Sequence, residues 1–201
     1  MSKKEDIINT ALNLFNQIGY NATGVDRIIA ESNVAKMTFY KYFPSKENLI
    51  MECLQHRNLN IQNSINEQLN LRQDANPLEK IHIIFNWYIE WINSETFNGC
   101  LFKKAFIEVS KQYTSIREPF YEYTKWLTHL LEDQLAQLGV ENPTPLTHII
   151  ISIIDGMIID GTTDKKLINA EKIWQYIEFL INEEIPQQVS LFLNYLSLLC
   201  L

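Results

Sequence analysis

Cysteine, glycine and proline are all scarce in this sequence, and each shortage excludes a class of protein. The three cysteines among 201 residues, Cys53, Cys100 and Cys200, are an odd number at wide spacing, which fits neither a disulfide framework nor a zinc motif. We therefore expect reduced thiols and a cytoplasmic protein. Six glycines and six prolines, without recurring strand-like alternation of apolar residues, favour a fold built only from helices.

Long apolar runs are also missing. The longest lies between Ile149 and Ile159, is interrupted by Ser152 and Asp155, and is shorter than the roughly 20 residues that a membrane-spanning helix needs. At the N-terminus an amphipathic pattern follows the first polar residues directly, so we expect no secretory signal. No membrane partner is predicted.

Signatures of catalysis are absent from the sequence too. It contains no nucleophile elbow, no phosphate-binding glycine loop and no cluster of metal ligands. His82, His129 and His148 are isolated and fit a polar surface or a core better than a metal site. We therefore expect a protein that is not an enzyme, with no catalytic residue, no metal and no cofactor.

Positive charge is in short supply and is unevenly placed. The net charge is −7, which by itself argues against nucleic acid as a partner. Residues 1–57 nevertheless contain seven Lys and Arg against six Asp and Glu, whereas residues 58–201 contain ten against eighteen. An acidic protein can bind DNA where it presents a local cationic face, and the N-terminal region could provide one.

That N-terminal region contains a helix-turn-helix pattern between Thr23 and Lys46. Two short stretches with apolar sides flank Asn33, a residue that tolerates the left-handed backbone of a tight turn. Pro44 ends the second stretch, and Ser45 is placed to cap a fourth helix that begins at Lys46. The spacing therefore predicts two short helices joined by a turn.

The second helix of this pattern carries cations, hydroxyls and aromatic rings between its apolar positions. Such groups bond phosphate oxygens and base edges, so we predict that this helix enters the major groove of double-stranded DNA. The predicted DNA-binding residues are Thr23, Gly24, Lys36, Met37, Thr38, Tyr40, Lys41, Tyr42 and Lys46. Phosphate contacts are expected from Thr38, Tyr40 and Lys46, and base contacts from the other residues of the second helix. The alternative is an ordinary amphipathic helix with a solvated face.

The segment from Val34 to Leu49 resembles the DNA-binding head of the TetR/AcrR family of transcriptional regulators. The resemblance covers about residues 5–55. Asn33 stands where the family usually has glycine, and Gly24 stands where it often has serine or threonine. The resemblance implies an all-α protein with an N-terminal three-helix head and a C-terminal helical domain that binds a small molecule and dimerises.

Helical periodicity continues through the rest of the chain. Outside the helix-turn-helix itself, the pattern predicts helices over 3–19, 46–71, 77–92, 100–113, 117–138, 146–160 and 169–183. We predict a helix-turn-helix domain over 1–46, joined by the helix that starts at residue 46 to a regulatory domain over 47–201. Residues 187–201 are unusually apolar for a terminus and could form a short covering helix or lack a fixed structure.

Aromatic residues are concentrated over 85–126, where twelve occur among 42 residues. Each could be plain core, but together they predict an apolar pocket for a small-molecule effector. The predicted ligand-binding residues are Trp87, Tyr88, Trp91, Phe102, Phe106, Glu108, Tyr123 and Trp126. Inward-facing Glu90 and Glu108 would favour a flat or cationic ligand, whereas solvated carboxylates are the alternative.

A stripe of mostly small residues predicts a homodimer. Ser152, Asp155, Gly156 and Ile159 share one side of the helix over 146–160, where another helix could approach closely. Packing within one chain is the alternative, and the family resemblance favours pairing of the last two helices with their mates. We expect a ligand-responsive repressor that binds palindromic operator DNA and is released by a hydrophobic or aromatic effector; the alternative is a helical protein-interaction module without DNA binding.

Overall fold

The computed structural model describes residues 2–186, which contain nine α-helices, two short 3-10 helices and no strand. The α-helices are α1 Lys3–Ala22, α2 Val25–Glu31, α3 Lys36–Tyr42, α4 Lys46–Leu71, α5 Pro77–Asn93, α6 Leu101–Val109, α7 Arg117–Gln137, α8 Pro143–Thr163 and α9 Ala170–Glu184. The all-α prediction is confirmed. The apolar segment 187–201 lies outside the described residues.

Most predicted helix ends are confirmed, and four differ. α8 begins at Pro143, three residues before its predicted start, because proline is favourable in the first turn of a helix. α1 breaks at Gly19 as expected but resumes for one further turn to Ala22. α6 ends at Val109, four residues early, where the hydroxyl of Ser110 donates to the carbonyl of Phe106 and competes with helical bonding. α8 continues through Gly161, which the sequence pattern places in a loop.

Gly161 lies inside α8 at a point where only a hydrogen atom fits as side chain. A β-carbon there would lie 2.7 Å from Cγ2 of Ile92 and 3.2 Å from the ring of Phe97, both of which are buried. The glycine therefore marks a close approach between α8 and the end of α5 rather than a turn.

The first compact unit comprises Met1–Ser64 together with Asn98–Thr124. In this unit α1 packs against α2, α3 and α6. The large side chains at the centre of the unit have no measurable exposure. Those side chains include Phe15, Tyr20, Phe39, Phe43 and Leu49. The three-helix head thus shares its core with α6, which lies about 80 residues further along the chain. The predicted functional boundary after residue 46 stays a prediction.

The second compact unit comprises Ile65–Phe97 and the chain from Lys125 onward. α5, α8 and α9 pack on one another through isoleucines such as Ile84, Ile154 and Ile177, each at most 2% exposed. The imidazole of His82 stacks on Trp174 with ring centroids 4.1 Å apart. Burial lowers the pKa of His82, while the charge of Glu178 acts in the opposite direction.

Within residues 2–186, α8 is long and apolar enough to cross a membrane by length and composition alone. Only 39% of its most apolar window is buried inside the protein. An apolar helix with this much free surface suits contact with another protein surface as well as contact with lipid, so the criterion does not by itself indicate a membrane protein.

Candidate nucleic-acid interface

The helix-turn-helix is closed by backbone hydrogen bonds around Asn33. Asn33 has φ 52°, the left-handed conformation that the sequence predicts at this turn. The hydroxyl and N–H of Ser32 both donate to the carbonyl of Ile28, at 2.7 and 2.9 Å, and Val34 N–H donates to Ile29 at 3.4 Å. The turn therefore satisfies its own backbone groups and fixes the direction in which α3 leaves α2.

α3 is anchored by two buried phenylalanines. Phe39 and Phe43 have no measurable exposure, and their ring centroids lie 5.9 Å apart. Ile28 of α2 is equally buried. Because Phe39 lies on α3 and Phe43 follows its last residue, the two rings hold one side of this helix in the core and direct the other side outward.

The outward side of α3 carries most of the predicted DNA-binding set. Met37 is 86% exposed, Tyr40 is 44% exposed, and Lys41 and Tyr42 are also exposed. Thr38 is half-buried between these residues and the core. A thioether, a cation and two phenols on a helix of seven residues form a surface that can meet phosphates and base edges.

Lys36 is part of this surface but is held by an acidic partner. Its Nζ lies 3.1 Å from Oδ1 of Asp26, near the start of α2. The hydrogen bond and the charge of Asp26 raise the pKa of Lys36. Because both side chains are exposed, DNA phosphates can compete with the carboxylate for this ammonium group.

Replacing Asp26 with asparagine is expected to strengthen DNA binding several-fold. The substitution frees Lys36 for phosphate, so the dependence of log Kd on log salt concentration should steepen by about 1. Fluorescence anisotropy of a labelled duplex at several salt concentrations measures both effects.

Glu31→Gln is the matched control, because Glu31 pairs with Arg27 at 2.7 Å on the same helix. An equal effect of both substitutions would show a general charge effect and would contradict a DNA contact by Lys36.

Two predicted DNA-binding residues are committed to contacts inside the protein. Thr23 is fully buried, and its hydroxyl donates to the carbonyl of Gly19 at 2.6 Å. Lys46 donates to the carbonyl of Tyr20 at 2.5 Å, and partial burial lowers its pKa. Gly24 is exposed and precedes α2 without a side-chain cap, which leaves the first N–H groups of α2 for another acceptor.

The eight predicted ligand-binding residues are divided between the two compact units. Phe102, Phe106, Glu108 and Tyr123 belong to the first unit, and Trp87, Tyr88, Trp91 and Trp126 belong to the second. Within the first, Phe102 and Tyr123 are buried and stack with centroids 4.4 Å apart. The carboxylate of Glu108 accepts backbone N–H groups from α1.

Aromatic residues of the second unit form a continuous cluster. The rings of Trp87 and Trp91 lie 6.1 Å apart, Trp91 meets Phe97 at 5.0 Å, and Trp87 meets Tyr88 at 5.0 Å. The same unit contains an open depression of about 460 Å³ at its acidic end. That depression is lined by Glu141, Asn142, Glu183, Glu184, Ile185 and Pro186, none of which belongs to the predicted ligand set.

Sequence reasoning missed Asp26 and misjudged the surroundings of Glu108. Asp26 and Lys36 are ten residues apart on different helices, and only the turn at Asn33 brings them together. Glu108 accepts a hydrogen bond from Tyr20 of α1, although the two residues are 88 positions apart in the sequence. Neither contact leaves a periodic signal in the sequence.

Comparison with known proteins identifies the head. The model of the family described as bacterial regulatory proteins, tetR family, matches residues 7–53, which include α2, the turn and α3. The chain belongs to the TetR family of transcriptional regulators. It is therefore a DNA-binding helix-turn-helix regulator, and membership of this family confirms the prediction that it is not an enzyme.

Relatives of this TetR-family regulator differ in how much of the chain they match. The uncharacterized HTH-type transcriptional regulator YuxN of Bacillus subtilis is 51% identical over 57 residues, which are 28% of this chain and 20% of that protein. The HTH-type transcriptional regulator LmrA of Bacillus subtilis is 26% identical over 166 residues, which are 81% of this chain and 87% of LmrA. Sequence similarity is thus strongest over a short segment.

Solved structures extend the likeness in fold to most of the regulator. SCO4454, a TetR-family transcriptional regulator from Streptomyces coelicolor, aligns with a TM-score of 0.83 at 21% identity and covers 92% of this chain and 96% of that one. NemR of E. coli in its reduced form aligns with a TM-score of 0.77 at 19% identity, covering 87% and 94%. At these identities the likeness concerns the fold.

Proposed function

We propose that this TetR-family regulator binds a palindromic operator as a homodimer and represses transcription until a small apolar effector releases it. The observation that carries the proposal is the outward side of α3, where Met37, Tyr40, Lys41 and Tyr42 are exposed above the buried Phe39. A single helix of seven residues reads few base pairs, so two copies related by a two-fold axis would supply the necessary selectivity.

Exposed apolar side chains on α8 and α9 support the homodimer. On α8, Ile159 is 63% exposed, Ser152 and Gly156 are also exposed, and a β-carbon on Gly156 would meet nothing within 4 Å. On α9, Tyr176 and Phe179 are both largely exposed. Among residues 2–186, Ser152, Gly156 and Ile159 of this stripe thus keep exposed surface on α8, which favours a partner helix over the alternative of packing within one chain.

The aromatic cluster of the second unit supports a flat, hydrophobic effector. Trp87, Trp91 and Phe97 provide ring faces and edges in one place, and apolar ligands are bound mostly by such surfaces. Glu90 is exposed and lies 3.5 Å from the amide of Gln68, while Glu108 is engaged with α1. These contacts favour a neutral effector over a cationic one.

Release from the operator follows from differential binding. An effector that binds better to a dimer whose heads do not match the half-site spacing shifts the population toward that state. The free energy available for this shift equals the difference in effector affinity between the two states. Repression ends when this difference exceeds the preference of the free protein for the DNA-bound arrangement.

Replacing Tyr40 with phenylalanine tests the proposed DNA contact. The ring of Tyr40 packs edge-on against Phe39 at 5.3 Å, and phenylalanine preserves this contact while removing the hydroxyl. Loss of one hydrogen bond to a charged phosphate should weaken operator binding about tenfold. The measurement is the affinity for a duplex that the unaltered protein selects from a random-sequence library.

Tyr121→Phe is the control, because Tyr121 is an exposed tyrosine of α7 in the same compact unit. Operator affinity should also fall steeply as salt concentration rises. Salt-insensitive binding, or failure to select any duplex, would favour the alternative of a helical protein-interaction module.

A further inference from the structure

The break in α1 at Gly19 interrupts helical hydrogen bonding just before the chain turns toward α2. Gly19 has φ 80° and ψ 173°, a conformation that favours glycine over all other residues. The N–H groups of Tyr20 and Asn21, which follow the break, cannot reach carbonyls one turn earlier. These backbone groups need partners from elsewhere in the chain.

α6 supplies partners for both sides of the break. The N–H groups of Tyr20 and Asn21 donate to Oε2 of Glu108 at 2.9 and 3.0 Å. On the other side, Nζ of Lys104 donates to the carbonyl of Asn16 at 2.9 Å. Residues four apart are neighbours on a helix, so one face of α6 presents an anion to N–H groups that follow the break and a cation to a carbonyl that precedes it. The same signs of charge are favourable at ordinary helix ends, where anions stabilise the N–H groups of the N-terminus and cations stabilise the carbonyls of the C-terminus.

Further contacts connect residues 19–21, the joint between α1 and its last turn, to α6 and α4. The ring of Tyr20 stacks on Phe15 at 4.5 Å, and its hydroxyl donates to the carbonyl of Leu101 at 3.1 Å. Lys46 at the start of α4 donates to the carbonyl of Tyr20. A β-carbon on Gly19 would lie 2.8 Å from Oε1 of Glu108, so the carboxylate rests directly against the break.

The position of this joint determines where α2 begins, and α3 follows α2 through the closed turn. Thr23 follows it directly, and its hydroxyl returns to the carbonyl of Gly19. α2 begins at Val25 and has no side-chain cap of its own. The direction of α2, and of α3 through the closed turn, therefore depends on how residues 20–23 are held.

We infer that Lys104 and Glu108 are positioning residues for DNA binding, which cap the two sides of the α1 break and thereby fix the direction of α2 and α3. Their action lies within one chain and requires neither an effector nor a second copy. It thus goes beyond the operator, dimer and effector proposed above. Neither residue needs to touch DNA, because each acts through the backbone of α1.

Glu108→Ala is expected to weaken operator binding roughly tenfold, because two charge-assisted hydrogen bonds to the joint are lost. The sign is diagnostic, since removal of a negative charge by itself should strengthen binding to DNA. Amide hydrogen exchange at Tyr20 and Asn21, followed by NMR, should accelerate roughly tenfold or more. The operator probe is the duplex that the unaltered protein selects from a random library.

Glu122→Ala is the matched control, because Glu122 is an exposed carboxylate of α7 in the same compact unit. It makes the same change of charge and should leave both the affinity and the two amides unchanged. Lys104→Met preserves the aliphatic stem and should also weaken binding. Combined with Glu108→Ala, it should cost less than the product of the two single effects, because both act on one joint.

Glu108→Gln retains the side-chain shape and one acceptor oxygen, and it keeps the test valid if the alanine variant does not fold. An affinity equal to or above that of the unaltered protein in both Glu108 variants would overturn the inference. So would weaker binding without faster exchange at Tyr20 and Asn21, or an equal loss of affinity in Glu122→Ala.

Discussion

Replacing Phe39 with alanine should lower the free energy of unfolding by about 3–5 kcal/mol, as expected for deletion of a fully buried aromatic side chain. Phe39 has no measurable exposure and contacts the rings of both Tyr40 and Phe43. Its loss should release α3 from the core, so operator binding should disappear together with stability. Urea denaturation and operator titration measure the two effects.

Met37→Ala on the same helix is the natural comparison. Met37 is 86% exposed, so its truncation should change stability by no more than about 0.5 kcal/mol while still weakening operator binding. Together the two substitutions separate the inward and outward sides of one seven-residue helix. A stable Phe39→Ala variant that binds operator normally would contradict the assignment of these sides.

Replacing Ile159 with glutamate should convert the proposed homodimer into a monomer at micromolar concentration. Ile159 is 63% exposed in the single chain, and a symmetric interface would bury two copies of the introduced carboxylate without a partner charge. Because simultaneous binding of two half-sites is lost, operator affinity should fall at least roughly a hundredfold. Sedimentation velocity measures the assembly and anisotropy measures the affinity.

Ile107→Glu is the control for this experiment. Ile107 is 79% exposed on α6, so the same substitution introduces the same charge at an exposed isoleucine of the other compact unit. It should leave the sedimentation coefficient unchanged. A dimeric Ile159→Glu variant would place the subunit interface elsewhere on the protein.

Local features of the fold were predictable because their signals lie within a few residues of one another. Asn33 adopts the left-handed turn, Ser45 caps α4 through the N–H of Asn48, and the apolar side predicted for the second helix of the pattern is buried at Phe39. The outward residues of α3 follow from the same periodicity. Each of these outcomes depends on backbone preference or on helical period, which the sequence states directly.

Contacts between distant segments were not predictable in the same way. Gly161 belongs to a sequence pattern typical of a loop, yet it lies inside α8, where Ile92 and Phe97 approach so closely that a larger side chain would not fit. Glu108 lies among aromatic residues in the sequence, which suggests a pocket, but its carboxylate faces the broken end of α1. At both positions the role of the residue depends on a contact with a residue far away in the sequence. No local pattern in a single sequence indicates such a contact.

The first compact unit is built from two separate segments of the sequence, which limits how the DNA-binding domains of such regulators can be exchanged. Residues 1–64 share their core with 98–124, and the joint at Gly19 receives its hydrogen-bonding partners from α6. A chimaera that transplants only the N-terminal 46 residues onto a foreign body would leave the hydroxyl of Tyr20 and two backbone N–H groups without acceptors. The transferable part is therefore discontinuous in sequence, and a functional graft has to carry α6 along with the head.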